Sequence, residues 1–570
     1  MVKIDSQQKN KNKNFSLNVK SIIDILRKDD GVWPKYYIFE FSWILFLKIF
    51  EDIEKERQKQ GEKVVLLWTK YSRSYWTKTF KNKPDELLNF IKKELFPYLQ
   101  SLKDIPVLQT IFVNLKQTNI KNWRTLIEII NKFENLDFSI LNDADNYLFS
   151  KVYEEILINM WKEWSRAGEY YTPKAVVKFI IDILKPSIKD NPNLKILDPF
   201  AWSCGFLIEA YKYNLENFKD SLTQSEKNKL KKEVFYWIEK KFEAWLIGLM
   251  NLFVHWIDFP NFVLNNSFKV NFKNYKNKFD FVLTNPPFWW KEHNEVYKSA
   301  EFADYKTSVT EALWLQFVMK SLKPWWKAGI ILPTWQILFG GSVFQKIRKH
   351  LIENFNLKYI IFLPEWTFSS VGTNIKTAIL IFENTWKTKI TKCFKINWKY
   401  TKKKQIKYEH LKPLIDYILG KTKILPENVE ETIVNWEEKN KFFKKLEKYL
   451  SEFSKSDNIE KLLKNFENFI TQTEFYKNLN YLDKAYIRQI INDVKKDKKE
   501  KTKLIEWLKS EIEKFDYSFM IDFWNKEAEE KIDLNHLEIV IDESLKQIIN
   551  WWEDIKRNLE SLNFSDNEKN

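Results

Sequence analysis

Phe279-Asp280-Phe281-Val282-Leu283, followed after one threonine by Asn285-Pro286-Pro287-Phe288, sets the reading of the chain. The apolar run has the length and composition of a buried strand, and the prolines end it because neither can donate a ladder hydrogen bond. The result is a stiff turn at a strand's carboxyl end, where open α/β sheets place their ligands. An amide, two carbonyls and an aromatic ring converge there. Together they suit a planar base with an exocyclic amine: the Asn285 side-chain oxygen and a proline-flanked carbonyl accept its two N–H hydrogens, and Phe288 covers its face. Alone, the four residues would read as a proline-stiffened surface turn. The stretches before them reverse that.

Upstream, Leu194-Lys195-Ile196-Leu197 reads as a short buried strand, and Asp198-Pro199-Phe200-Ala201-Trp202-Ser203-Cys204-Gly205-Phe206-Leu207 leads from it into an amphipathic helix. Strand, small-residue loop, helix brings backbone N–H groups and a helix N-terminus to a bound anion. Val234 to Glu239 reads as a second strand ending in an acid, and a carboxylate at that edge suits the two hydroxyls of a ribose. Before the first strand, Glu169-Tyr170-Tyr171-Thr172-Pro173-Lys174 enters another helix, with Thr172 expected as its N-cap and Pro173 as its first residue. Downstream, helices over 311–322 and 344–355 alternate with strands over 328–332, 359–363 and 377–382. This pattern predicts a mostly parallel doubly wound sheet, its last two strands a candidate antiparallel pair.

The flanks are helical. Residues 1–14 are expected to form a polar, lysine-rich arm, 15–146 a helical domain broken at Pro84, Pro97 and Pro106, and 147–390 the α/β domain. Residues 391–570 are expected to be charged helices, packed either on a partner or on the chain itself.

Net charge is +16, so a polyanion such as nucleic acid is the natural partner to test. Two cysteines and five histidines give no disulfide framework and no zinc spacing, which fits a reducing cytoplasm. The longest apolar run, Phe41 to Phe50, is too short to span a bilayer.

One feature of the composition is abnormal. Glycine occurs 10 times, where average usage of about 7% gives roughly 40, and tryptophan occurs 25 times. Tryptophans stand where backbone geometry asks for glycine: Trp202 in the tight loop, Trp289 and Trp290 after the proline turn, Trp325 and Trp326 between a helix and a strand. UGA codons, which some bacterial lineages assign to glycine, would produce this pattern when read as tryptophan. The alternative is a tryptophan-rich core, which Trp43 and Trp507, inside apolar helical patterns, fit.

In these motifs the chain resembles the S-adenosylmethionine-dependent DNA adenine-N6 methyltransferases, specifically the modification subunits of type I restriction–modification systems. Glu169 to Lys174 is similar to the family's cofactor-contacting element before the first strand. Asp198 to Leu207 resembles its cofactor loop, Tyr236-Trp237-Ile238-Glu239 its ribose-binding strand end, and Asn285-Pro286-Pro287-Phe288 its catalytic motif. The resemblance covers residues 15–390 and implies a Rossmann-like methyltransferase sheet between helical regions. It implies Asn285, Pro286, Pro287 and Phe288 as catalytic residues. As cofactor-binding residues it implies Glu169, Tyr170, Tyr171, Thr172, Pro173, Lys174, Asp198, Pro199, Ala201, Trp202, Ser203, Gly205, Phe206, Leu207, Glu239 and Asn266. Two departures stand out: tryptophan at 202 where the family carries glycine, and Asn266 where it usually carries an acid. The implied partners are double-stranded DNA, a specificity subunit and a restriction endonuclease subunit, with no metal. An amino-methyltransferase acting on RNA or protein glutamine, or a nucleic-acid-binding scaffold that has lost its cofactor, are the other readings the motifs allow.

Overall fold

The computed structural model describes residues 37–134, 172–288, 303–398 and 406–515, apart from short gaps inside these spans, together with most of 21–25. The expectations for the arm over 1–14, for Glu169, Tyr170 and Tyr171, and for Trp289 and Trp290 lie outside the described residues. The chain divides into two compact units, Met1–Lys439 and Asn440–Asn570.

The first unit opens with helices α1 (Tyr37–Lys59), α2 (Arg73–Thr79), α3 (Pro84–Phe90), α4 (Phe96–Ser101), α5 (Pro106–Leu115) and α6 (Trp123–Glu134). Pro84 and Pro106 open their helices and Pro97 sits in the first turn of α4, positions where a missing N–H costs nothing. The buried Glu40 carboxylate accepts from the Trp43 indole at 2.7 Å, the Thr118 hydroxyl at 2.7 Å and the Asn119 backbone at 2.6 Å. It thereby ties α1 to the segment after α5. Burial nevertheless pushes its pKa up.

The sheet follows with its helices: α7 (Lys174–Leu184), β1 (Ile196–Asp198), α8 (Gly205–Phe218), α9 (Gln224–Lys232), β2 (Phe235–Glu239), α10 (Phe242–Val254), β3 (Asn261–Leu264) and β4 (Phe279–Thr284). Then come α11 (Thr310–Ser321), β5 (Leu322–Pro333), α12 (Ser342–Asn354), β6 (Asn356–Phe362), β7 (Thr377–Glu383), β8 (Ile390–Ile396), α13 (Tyr408–Ile418) and β9 (Val429–Asn435). Strand order is β3-β2-β1-β4-β5-β7-β6-β8-β9. The first five are parallel, and β7 runs antiparallel to both β5 and β6. The doubly wound α/β expectation therefore holds, with β7 reversed inside the sheet and β9 reversed at its edge. The order reverses between β1 and β4, which puts a ligand crevice at their carboxyl ends.

β4 is buried along its whole length, as its composition predicts. Its one charged residue, Asp280, is fully buried at the strand's other end, where the Lys323 ammonium lies 2.8 Å away and the Lys195 backbone N–H donates at 2.6 Å. A buried carboxylate is tolerated when paired and hydrogen-bonded in this way. α10 packs on α1 through Phe253 against Phe46, ring centroids 5.1 Å apart.

Past residue 390 the structure corrects the sequence reading. Two strands, β8 and β9, extend the sheet where only helices were expected. Their lysines and glutamates read as part of a charged helical region; in place they form cross-strand pairs such as Lys392–Glu431 at 3.0 Å, beside buried Thr391 and Cys393.

The second unit is helical: most of α14 (Trp436–Lys455), α15 (Ile459–Gln472), α16 (Tyr481–Lys496) and α17 (Lys501–Phe515). Their apolar stripes close on one another around Phe453, Leu463, Phe466, Ile490 and Leu508. These helices thus bury one face within their own unit. From Asn440 onward acidic side chains outnumber basic ones, so the entire basic excess belongs to the first unit. No helix among the described residues is long and apolar enough to cross a membrane.

Candidate active site

The Asn285–Phe288 corner leaves the end of β4 as expected, and the tertiary structure supplies its anchor. Thr172 is not the N-cap of α7; Pro173 holds that position. The Thr172 hydroxyl instead accepts a hydrogen bond from Asn285 Nδ2 at 2.9 Å. That bond fixes the amide's orientation. It leaves Asn285 Oδ1 buried with no hydrogen-bond partner, an arrangement that costs free energy unless a ligand donates to it. At the strand end, Thr284 Oγ1 donates to Asp198 Oδ1 at 2.8 Å, joining β4 to β1 beneath the corner.

Two cavities meet at this corner. One, of about 800 Å³, opens among Pro199, Glu239, Asn266, Pro286, Pro287 and Phe288. The other, of about 580 Å³, is lined by Thr172, Lys174, Asp198, Ala201, Ser203 and Phe206, with Gly205 at the start of α8. Asn285, Phe200 and Trp202 border both. Most of the expected cofactor residues that fall among the described ones are thus brought together. Two are not: Leu207 is fully buried and lines neither cavity, and Pro173 serves the helix end.

Glu239, at the end of β2, reaches over the small-residue loop. Its Oε2 accepts the Trp202 N–H at 3.1 Å, while Oε1 accepts the Lys240 and Lys241 N–H groups at 2.8 and 2.9 Å. The carboxylate is therefore held in place at the cavity's rim. Asn266 is buried at the same cavity, its Oδ1 taken by the Phe268 N–H at 3.0 Å.

Asp198 is almost fully buried, and desolvation pushes its pKa up to about 7 against the bonds from Thr284 and Phe200. A free aspartate ionises near pH 4, so across pH ~4–7 the folded state keeps a proton that the unfolded state has released. The stability tied to this group is full below that window and is lost as pH rises through it. Asp198→Asn should therefore flatten part of the decline in urea midpoint between about pH 4 and pH 7. Full retention of the slope in the variant would move the effect to another group.

Sequence reading missed several wall residues. Glu209 and Lys212 follow Gly205 at four and seven residues along α8, so helical spacing from the loop could have found them. Asn251, whose Nδ2 donates to the Ser203 carbonyl at 2.8 Å, and Trp314 come from helices whose approach only the fold reveals.

Residues 144–478 match the family model described as N-6 DNA Methylase. The chain is 31% identical over 415 residues to the type I restriction enzyme EcoEI methylase subunit of Escherichia coli, covering 70% of this chain and 82% of that protein. It is 27% identical over 365 residues to the EcoKI methylase subunit of Escherichia coli K12, covering 62% of this chain but only 64% of that one. Among solved structures, a chain from a study of complex assembly and conformational transition in the type I R-M system superposes with a TM-score of 0.63 at 29% identity, covering 75% of this chain and 89% of its own. The type I restriction-modification system methyltransferase subunit from Streptococcus thermophilus gives a TM-score of 0.54 at 16% identity, over 74% and 96% of the two chains, a likeness of fold. With its sheet order, its proline-locked corner and a match over more than half its length, the chain belongs to the N-6 DNA methylase family.

Proposed function

We propose that this protein methylates the N6 amine of adenine in DNA, with S-adenosylmethionine as methyl donor, as the modification subunit of a type I restriction–modification system. The observation that carries the reading is the Asn285 amide, locked through its nitrogen to Thr172 with its oxygen buried and unanswered where the two cavities meet.

The residues present fit the donor, with one exception at Trp202. Glu239 offers an acceptor for the ribose hydroxyls, and Asn266 a polar edge for the donor's adenine ring. Thr172, Lys174 and the 198–206 loop offer hydroxyl, charge and backbone groups to the methionyl end. Bound there, S-adenosylmethionine supplies an electrophilic methyl group on its sulfonium.

The chain's own part is positioning. A target adenine leaves the duplex stack at a cost of a few kcal/mol. Asn285 Oδ1 accepts one N6–H and the Pro286 carbonyl the other, which aims the nitrogen lone pair out of the ring plane. Phe288 packs on the base, and Pro286 and Pro287 keep the corner from yielding. Most of the acceleration then comes from holding a near-attack geometry.

The basic excess of the first unit suits the DNA backbone. Sequence choice is assigned to a separate specificity subunit, and cleavage to a restriction subunit. The test is co-expression with a type I specificity subunit from the same genome, followed by measurement of N6-methyladenine in the host DNA. Methylation at one recurrent sequence is the expected result; methylated rRNA or protein glutamine with unmodified DNA would overturn the proposal. Within it, Glu239→Gln should weaken S-adenosylhomocysteine binding about 10-fold, the cost of one charge-assisted hydrogen bond, as calorimetric titration would read.

A further inference from the structure

We infer that positions 202 and 325 carry glycine in the protein the cell makes, and that the two cavities beside position 202 form one continuous cofactor cleft. The second half rests on the proposed methyltransferase reading; the first half does not. Both positions have left-handed backbone, φ +42° at Trp202 and +74° at Trp325. For a bulky side chain this conformation is an outlier, and glycine is the residue that adopts it freely.

At 202 the loop cannot relax into another conformation, because its neighbours fix it. The Ala201 N–H donates to the Ile238 carbonyl at 3.2 Å, the Trp202 N–H to Glu239, and the Cys204 N–H to the Ala201 carbonyl at 2.7 Å. From the other side α10 comes so close that a Cβ on Gly248 would lie 2.5 Å from the Trp202 carbonyl oxygen. The backbone is set by β2 and α10, and residue 202 must accept it.

The side chain then does harm. Trp202 borders the cavity beside Glu239 and the cavity beside Thr172 alike, standing between the end suited to a nucleoside and the end suited to an amino acid. A single molecule carrying both parts needs the two joined. At 325, inside β5 where its pairing with β4 skips from Leu322 to Lys327, the residue is 65% exposed and its backbone N–H donates to the Asn384 carbonyl. Trp43 behaves otherwise: it sits inside α1, is fully buried, and donates its indole N–H to Glu40. A UGA codon translated as glycine accounts for the first two and for the count of 10 glycines against 25 tryptophans.

The test has two arms. The coding DNA should read UGA at 202 and 325 and UGG at 43, and peptide masses from the native host should show glycine at the first two; UGG at either position overturns the assignment. The chain as written and its Trp202→Gly variant are then titrated with S-adenosylhomocysteine, with thermal unfolding recorded alongside. The variant should bind at least about 100-fold more tightly and unfold no lower. Trp325→Gly should raise the unfolding temperature and leave affinity unchanged, since residue 325 lines neither cavity. Equal binding by the written chain and Trp202→Gly would overturn the single cleft. A folded Trp202→Gly that binds nothing, with UGA confirmed, would overturn the cofactor reading while leaving the glycine assignment standing.

Discussion

Asn285→Ala should lower the single-turnover rate of adenine methylation about 1,000-fold, near the upper end of what removing one preorganised polar group from an active site costs. In free energy that is about 4 kcal/mol of transition-state stabilisation. The size follows from position rather than residue type. The amide's nitrogen is engaged with Thr172, so its oxygen has one orientation, and that oxygen is buried where competing water is scarce. Cofactor affinity should change by no more than about threefold, since methyl transfer, not donor binding, uses this group. Phe288→Ala should act in the same direction by about 10- to 100-fold, the worth of stacking one base on an aromatic ring. The measurements are N6-methyladenine formation under single-turnover conditions and S-adenosylhomocysteine titration, both in the Trp202→Gly background. If affinity falls in step with the rate, the corner is a cofactor wall and the assignment of Asn285 fails.

Gly248→Ala should weaken the cofactor site about 10- to 100-fold and destabilise the first unit by roughly 1–3 kcal/mol, the usual cost of overpacking. Two effects compete here. In a helix interior, glycine to alanine ordinarily stabilises by roughly 0.5–1 kcal/mol. At this site the new Cβ would fall 2.5 Å from the Trp202 carbonyl oxygen and 2.9 Å from Cys204 Sγ. The first of these is main chain. It cannot withdraw without stretching the bond from the Trp202 N–H to Glu239, or that from Asn251 to the Ser203 carbonyl. The clash therefore outweighs the helix propensity, and the loop moves away from Glu239. Urea unfolding and the same titration would read both losses. An unchanged midpoint together with unchanged affinity would show that α10 does not press on the loop as described.

The corner at 285–288 was legible because proline has no N–H to give. A buried apolar run that ends in two prolines must stop being a strand, wherever it sits in the molecule. Glu239 was legible for a similar reason, as an acid closing an apolar strand after a small-residue loop. β8 and β9 were not. Their charges alternate only loosely with apolar positions, and a lysine facing a glutamate across two strands leaves no mark in either segment alone. Thr172 looked like a helix cap because Thr-Pro commonly is one; its actual partner lies 113 residues away in the chain.

By itself the sequence determined the alternation of helices with strands β1, β2, β4, β5, β6 and β7, the place where β4 must end, and the residue types offered to a nucleoside and to an amine. These follow from local geometry and hydrogen-bonding capacity, which each residue carries with it. It also showed too few glycines for the number of turns. Only the tertiary structure decided which way the Asn285 amide points, that Trp202 stands between two cavities in a conformation suited to glycine, and that Gly248 holds it there. Those facts arise from the approach of elements distant in sequence, and no segment encodes the surface it will be pressed against.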